Sequence, residues 1–144
     1  MENNIIPTVG VLIIKNKKVL LVKHGEASRH LNGKYGLPAG RTQNNESVKE
    51  TARRELKEET GLDADLDNLI LLPEEWQATV ERKDGIKKRF SLSVFLADKF
   101  EGEINGSAET TPEWVNLEEM ESCDLLPNTK EIIKKGLKFM RTQK

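Results

Sequence analysis

Apolar residues fall in short runs with two different periods. Residues 8–14 (Thr-Val-Gly-Val-Leu-Ile-Ile) and 19–22 (Val-Leu-Leu-Val) are nearly continuous in apolar character, the pattern of buried strands. Lys15-Asn16-Lys17-Lys18 between them reads as a turn, so the pair predicts a hairpin. Residues 24–34 are polar, include Gly25 and Gly33, and read as a loop; residues 35–40 (Tyr-Gly-Leu-Pro-Ala-Gly) read as a short strand running into a glycine turn. The period then becomes helical, with Val48, Ala52 and Leu56 on one stripe. Asn45 or an adjacent polar residue can cap this helix, and Gly61 stops it. Residues 68–72 predict a strand, and residues 76–82 and 88–97 two more around Asp84-Gly85, a hairpin turn signal. Residues 100–108 read as a loop, Trp114-Val115 as a short strand and residues 117–120 as a helical turn. A last helix follows Pro127-Asn128, with Ile132, Ile133, Leu137 and Met140 on one face. The expectation is an α/β fold forming a single domain over residues 1–144, with a mixed sheet between two main helices.

The helix at residues 48–60 carries its acids in an unusual place. At about 100° per residue, Val48, Ala52 and Leu56 lie near 0°, 40° and 80°, Glu55 and Glu59 near -20° and 20°, and Glu58 near -80°. A surface helix puts acids opposite its apolar stripe; here Glu59 prolongs the stripe and Glu55 flanks it. The helix C-terminus is also the wrong end for negative charge on dipole grounds. Like charges at this spacing repel, whereas a hard divalent cation needs clustered carboxylate oxygens. The acids therefore point to a cleft where cations compensate them.

Residues 40–62 resemble the Nudix box, G-x5-E-x7-R-E-U-x-E-E-x-G-U with U apolar, through Gly40, Glu46, Arg54, Glu55, Leu56, Glu58, Glu59, Gly61 and Leu62. The resemblance implies an α/β/α sandwich and hydrolysis of a nucleoside diphosphate linked to another moiety. It implies that Glu55, Glu58 and Glu59 bind metal, that the Gly40 carbonyl adds an oxygen ligand, and that Arg54 and Glu46 orient the carboxylates. An oxygen-only donor set beside phosphate suits Mg²⁺, or Mn²⁺. Relatives of the MutT type often add a carboxylate from the loop before a late tryptophan; Glu109 is the candidate in residues 106–114, with Glu113 as the alternate. Catalysis would then fall to Glu58, Glu59, Glu109 and Arg54. Ala39, where many MutT-like members have glycine, also occurs in ADP-ribose-type members. Two enzyme readings therefore stay open, a nucleoside triphosphate or oxidised-nucleotide hydrolase and an ADP-ribose or nucleotide-sugar pyrophosphatase. A non-catalytic nucleotide-binding module is the remoter alternative.

Composition narrows the partners. The 144 residues have net charge -1, with Lys87-Lys88-Arg89 and the C-terminal lysines reading as solvated faces, so nucleic acid is not expected as a partner. The single cysteine, Cys123, reads as a small, partly buried hydrophobe, and no Cys/His cluster has zinc spacing. Apolar runs of about six residues are too short to cross a bilayer. No basic or apolar leader marks residues 1–4, so a cytoplasmic monomer or homodimer acting on a small nucleotide is expected. For substrate contact, Arg29 and Lys34 could meet phosphates, and Trp76, Tyr35 and Phe90 could stack on a base. Asn128 could read a purine edge, although Asn128 with Glu131 also looks like a capping-box helix start. His24 and His30 read as solvated.

Overall fold

The first hairpin turns on Asn16 and Lys17, whose φ values of 54° and 64° are both left-handed. Two such residues make the tight turn that matches the twist of antiparallel strands. The computed structural model describes residues 5–25, 31–81, 85–107 and 109–142. Arg29, His30 and Asp84 lie outside the described residues.

The first predicted strand divides. β1 (Ile5–Leu12) ends before Ile13, and β2 (Ile14–Lys15) continues into a different sheet, where it pairs with β3 (Lys18–His24). Then come β4 (Tyr35–Gly36), β5 (Ala39–Arg41) and α1 (Val48–Thr60). β6 (Leu69–Glu81) is one long strand where the sequence predicts two. Its ladder slips between Leu71 and Glu75, where Pro73 has no N–H to donate. β7 (Lys87–Ala97), β8 (Thr110–Asn116) and α2 (Thr129–Thr142) complete the order. The helical turn expected at residues 117–120 is a 3-10 turn at Met120–Ser122.

One sheet has the order β5-β1-β7-β6, with β1 and β7 parallel and the other pairs antiparallel. In the second, β3 pairs with β8 over its full length and with β2 and β4 in part. Strand alternation sends neighbouring side chains to opposite layers. Val9, Val11, Leu20 and Phe95 pack with Ala52 and Leu56 of α1. Leu12, Val19, Leu21, Val94 and Leu96 pack with Ile132 and Ile133 of α2. The result is an α/β/α sandwich, as expected from the sequence. Among the described residues, no helix is long and apolar enough to cross a membrane.

Candidate active site

α1 is set by its ends. Ser47 caps it, accepting from the Glu50 N–H at 3.1 Å while the Glu50 carboxylate accepts from the Ser47 N–H at 2.8 Å. The cap thus falls two residues beyond Asn45; Asn45 itself turns the chain, with φ 65°. Gly61, at φ 86°, closes the helix as its N–H donates to the Lys57 carbonyl. The buried stripe is Thr51, Ala52, Leu56 and Thr60. Val48 is 50% exposed and leaves the predicted stripe, because the first helical turn projects beyond the layer that Ala52 and Leu56 bury.

The acids gather where that stripe meets β5. Glu59 accepts the Ala39 N–H at 2.9 Å. Glu55 packs against Gly40 so closely that a Cβ there would stand 2.0 Å from its Oε2. Arg54 ties the cluster together. Its Nε and Nη2 grip Glu46 at 2.5 and 3.1 Å, its Nη1 reaches Glu55 at 2.9 Å and Glu58 at 3.2 Å, and Nη2 also donates to the Arg41 carbonyl at 2.9 Å. Glu46 is held further by the Gln43 N–H and the Thr51 hydroxyl. These bonds, the one from Arg54 foremost, lower its carboxyl to about 2. Glu59 goes the other way. Burial, then the charges of Glu55, Glu58 and Glu109, push it up to about 8 against the pull of the Ala39 N–H. Burial also raises Glu55, with Arg54 opposing.

Glu109 lies on the loop entering β8, its carbonyl accepting the Gly25 N–H at 2.9 Å, and its charge is felt at Glu59. Glu113 has other work: it accepts the Tyr35 hydroxyl at 3.3 Å. Beside the acids opens a cavity of about 240 Å³, with Ala39, Gly40 and Glu59 on its wall. Strand register builds the rest. Trp76 pairs with Leu92 and Ala78 with Phe90 across β6 and β7, and Thr8 of β1 pairs with Leu92 from the other side. All five residues line the cavity, which Leu126, Pro127 and Asn128 cover.

The NUDIX domain family model matches residues 5–137. The chain belongs to the Nudix family. It is 30% identical over 145 residues to the Danio rerio protein named 8-oxo-dGDP phosphatase NUDT18, covering 98% of this chain and 41% of that one. Against the Mus musculus oxidized purine nucleoside triphosphate hydrolase, identity is 31% over 121 residues, 82% of this chain and 70% of that one. The chain thus spans less than half the length of the Danio rerio relative. Among solved structures, the MutT protein from Methanosarcina mazei Go1 superposes with a TM-score of 0.72 at 28% identity, covering 100% of this chain and 99% of that one. The MutT NUDIX hydrolase from Burkholderia pseudomallei shares the fold with a TM-score of 0.72 at 22% identity, covering 92% and 98%. The chain is a MutT-like member of the Nudix hydrolase family.

The Nudix glutamates fit a hard divalent cation by donor chemistry. They offer only oxygen, Gly40 brings its backbone against the Glu55 carboxylate, and Glu59 is an acid whose surroundings oppose its charge. As the side chains stand, Glu55 and Glu58 turn to Arg54, and among the described residues no three His, Cys, Asp or Glu groups are gathered closely enough to hold a metal.

The substrate candidates divide. Trp76, Phe90 and Asn128 reach the cavity wall. Lys34 pairs instead with Asp124 at 3.3 Å, Tyr35 is taken up by Glu113, and neither lines the cavity. Trp76 is only 5% exposed: it packs in the core layer with Ile132 and Ile133 of α2 while one side of it lines the cavity. Asn128 does not build the expected capping box: its φ is 71°, its amide donates to the Gln77 carbonyl at 2.8 Å, and Glu131 accepts from Trp76 instead. His24, read as solvated, is partly buried on the cavity wall. Sequence reasoning missed Thr8, Leu37, Ala78 and Leu92 as site residues. For Thr8, Ala78 and Leu92 the available signal was the shared even-numbered alternation of β1, β6 and β7, which has no meaning until the register is known.

Proposed function

We propose that this chain hydrolyses a phosphoric anhydride bond of a purine nucleoside tri- or diphosphate, with an oxidised purine as the preferred base, and that it uses Mg²⁺ or Mn²⁺. The observation that carries this reading is the continuity of the apolar, aromatic-walled cavity with the acid cluster, joined at Glu59, Ala39 and Gly40. Trp76 and Phe90 offer aromatic surface to a planar base, and about 240 Å³ suits a single base. A base seated there leaves its phosphates toward the carboxylates. The named activities of the Danio rerio and Mus musculus relatives, both on oxidised purine nucleotides, support the same substrate class.

Glu55, Glu58, Glu59 and the Gly40 carbonyl would hold the cation, with Glu109 as a further ligand. A divalent cation held there would screen the negative anhydride oxygens and make a neighbouring water more acidic. Arg54 bridges Glu55 and Glu58 and orients them, and Glu46 fixes Arg54 through a two-pronged grip. The proton of the attacking water passes to a carboxylate oxygen of Glu58, Glu59 or Glu109. The Ala39 N–H restrains Glu59 while the buried side of α1 excludes solvent.

A panel of normal and oxidised purine nucleotides, ADP-ribose and nucleotide sugars, with products identified by mass, tests the proposal. The expected result is cleavage of oxidised purine nucleotides that EDTA abolishes and Mg²⁺ or Mn²⁺ restores. Preferential cleavage of ADP-ribose would replace the substrate class. Tight nucleotide binding without turnover would make the chain a binding module, and full activity in EDTA would remove the cation from the mechanism.

A further inference from the structure

The cavity lies between two sheets, and the segment at residues 124–128 straps them together. At one end the strap is bonded to β4: the Tyr35 N–H donates to the Asp124 carbonyl at 2.8 Å and the Leu126 N–H to the Tyr35 carbonyl at 2.8 Å. At the other it is bonded to β6 through the Asn128 amide and the Gln77 carbonyl, 2.8 Å. One turn further, Glu131 of α2 accepts the indole N–H of Trp76 at 3.1 Å. Trp76 is almost wholly buried, so its N–H needs a partner inside the protein, and Glu131 supplies a charged one. Glu131 itself is exposed and is not on the cavity wall.

We propose that Glu131 is a positioning residue for base binding: by holding the Trp76 indole by its N–H edge, it fixes the ring wall of the cavity and the distance between α2 and β6. The inference rests on the proposed nucleotide reading and adds a residue outside the Nudix box and off the cavity wall. Both ends of the bond lie next to a second link, from the strap to β6, with Trp76 beside Gln77 and Glu131 just beyond Asn128, so the lock resists both rotation of the ring and sliding of the helix start. The outer ion pair of Lys135 with Glu74, 3.5 Å on exposed side chains, adds little by comparison. Because the bond acts on the base end and not on the acids, its loss should weaken substrate binding and leave the chemical step alone.

The test uses Glu131→Leu, Glu131→Gln and Trp76→Phe, with the double variant of Leu and Phe, on the best substrate of the wild-type protein. Glu131→Leu should raise KM roughly fivefold or more with kcat within about twofold, and Glu131→Gln, which keeps an acceptor oxygen, should stay within about twofold of wild type. In the Trp76→Phe background, where no N–H remains, adding Glu131→Leu should change KM by less than about 1.5-fold. In ligand-free protein the Trp76 indole N–H resonance should shift and exchange faster in Glu131→Leu but not in Glu131→Gln. An unchanged KM in Glu131→Leu, an equal loss in both backgrounds, or an unmoved indole resonance overturns the inference while leaving the proposed function standing. A wild-type protein that turns over no nucleotide overturns the proposed function, and this inference with it.

Discussion

Burial and three neighbouring acids oppose the charge of Glu59, and that sets a pH dependence. Its carboxyl titrates near 4.5 in the unfolded chain and near 8 in the folded, cation-free one. Between those values the folded chain keeps a proton that the unfolded chain has released. The stabilisation is therefore complete below the lower value and is lost as pH rises through the upper. In EDTA, the melting temperature of the wild type should fall from pH 5 to pH 8 more steeply than that of Glu59→Gln, which cannot titrate; parallel curves would show that the shift is absent. Glu46, lowered to about 2, has the opposite sign, and its contribution disappears only in acid. With Mg²⁺, Glu58→Gln and Glu59→Gln should each lose on the order of 10² in turnover, against less than about threefold for Lys57→Gln on the same helix. Gly40→Ala separates chemistry from folding. The new Cβ would meet the end of a side chain, not backbone, so Glu55 is displaced, turnover collapses and the melting temperature barely moves. In the late loop, Glu109→Gln should lower kcat with little change in KM, while Glu113→Gln, whose carboxylate serves Tyr35, should be mild. The reverse pair of results would move the role to Glu113.

At the scale of the element, α1 is a carrier whose ends matter to stability and whose C-terminal half matters to chemistry. Ser47→Ala removes the acceptor for the Glu50 N–H and should cost about 1 kcal/mol, read by denaturant unfolding, with kcat unchanged. A large kcat loss in this variant would mean that the cap also sets the carboxylates. This helix was legible in the sequence because its signals are local: the change of period, a polar start, Gly61, and acids that prolong the apolar stripe. Val48 was misplaced for the converse reason, since a helical stripe says nothing of where the layer beneath it ends. β6 was read as two strands because Pro73 breaks a local pattern that the ladder with β7 carries across.

For the whole molecule, the cation and the sandwich should be coupled by mass action: an ion bound only by the folded chain stabilises it. Mg²⁺ should raise the melting temperature of the wild type and do so far less in Glu55→Gln, Glu58→Gln or Glu59→Gln; equal shifts in all four proteins would place the ion elsewhere. The division between the two levels of information follows from distance along the chain. Sequence alone determined α1, its stops and the run of carboxylates, because residues three and four apart on a helix meet by local geometry; the Arg54–Glu46 pairing came only with the resemblance to the Nudix box. Sequence also determined the layered architecture, through alternating strand and helix periods. Only the tertiary structure decided the cavity. Thr8, Trp76, Leu92 and Asn128 share a wall because strand register and the strap at residues 124–128 bring them together from four parts of the chain. A one-residue slip would turn every one of those strand side chains to the other face, and no local signal encodes that choice.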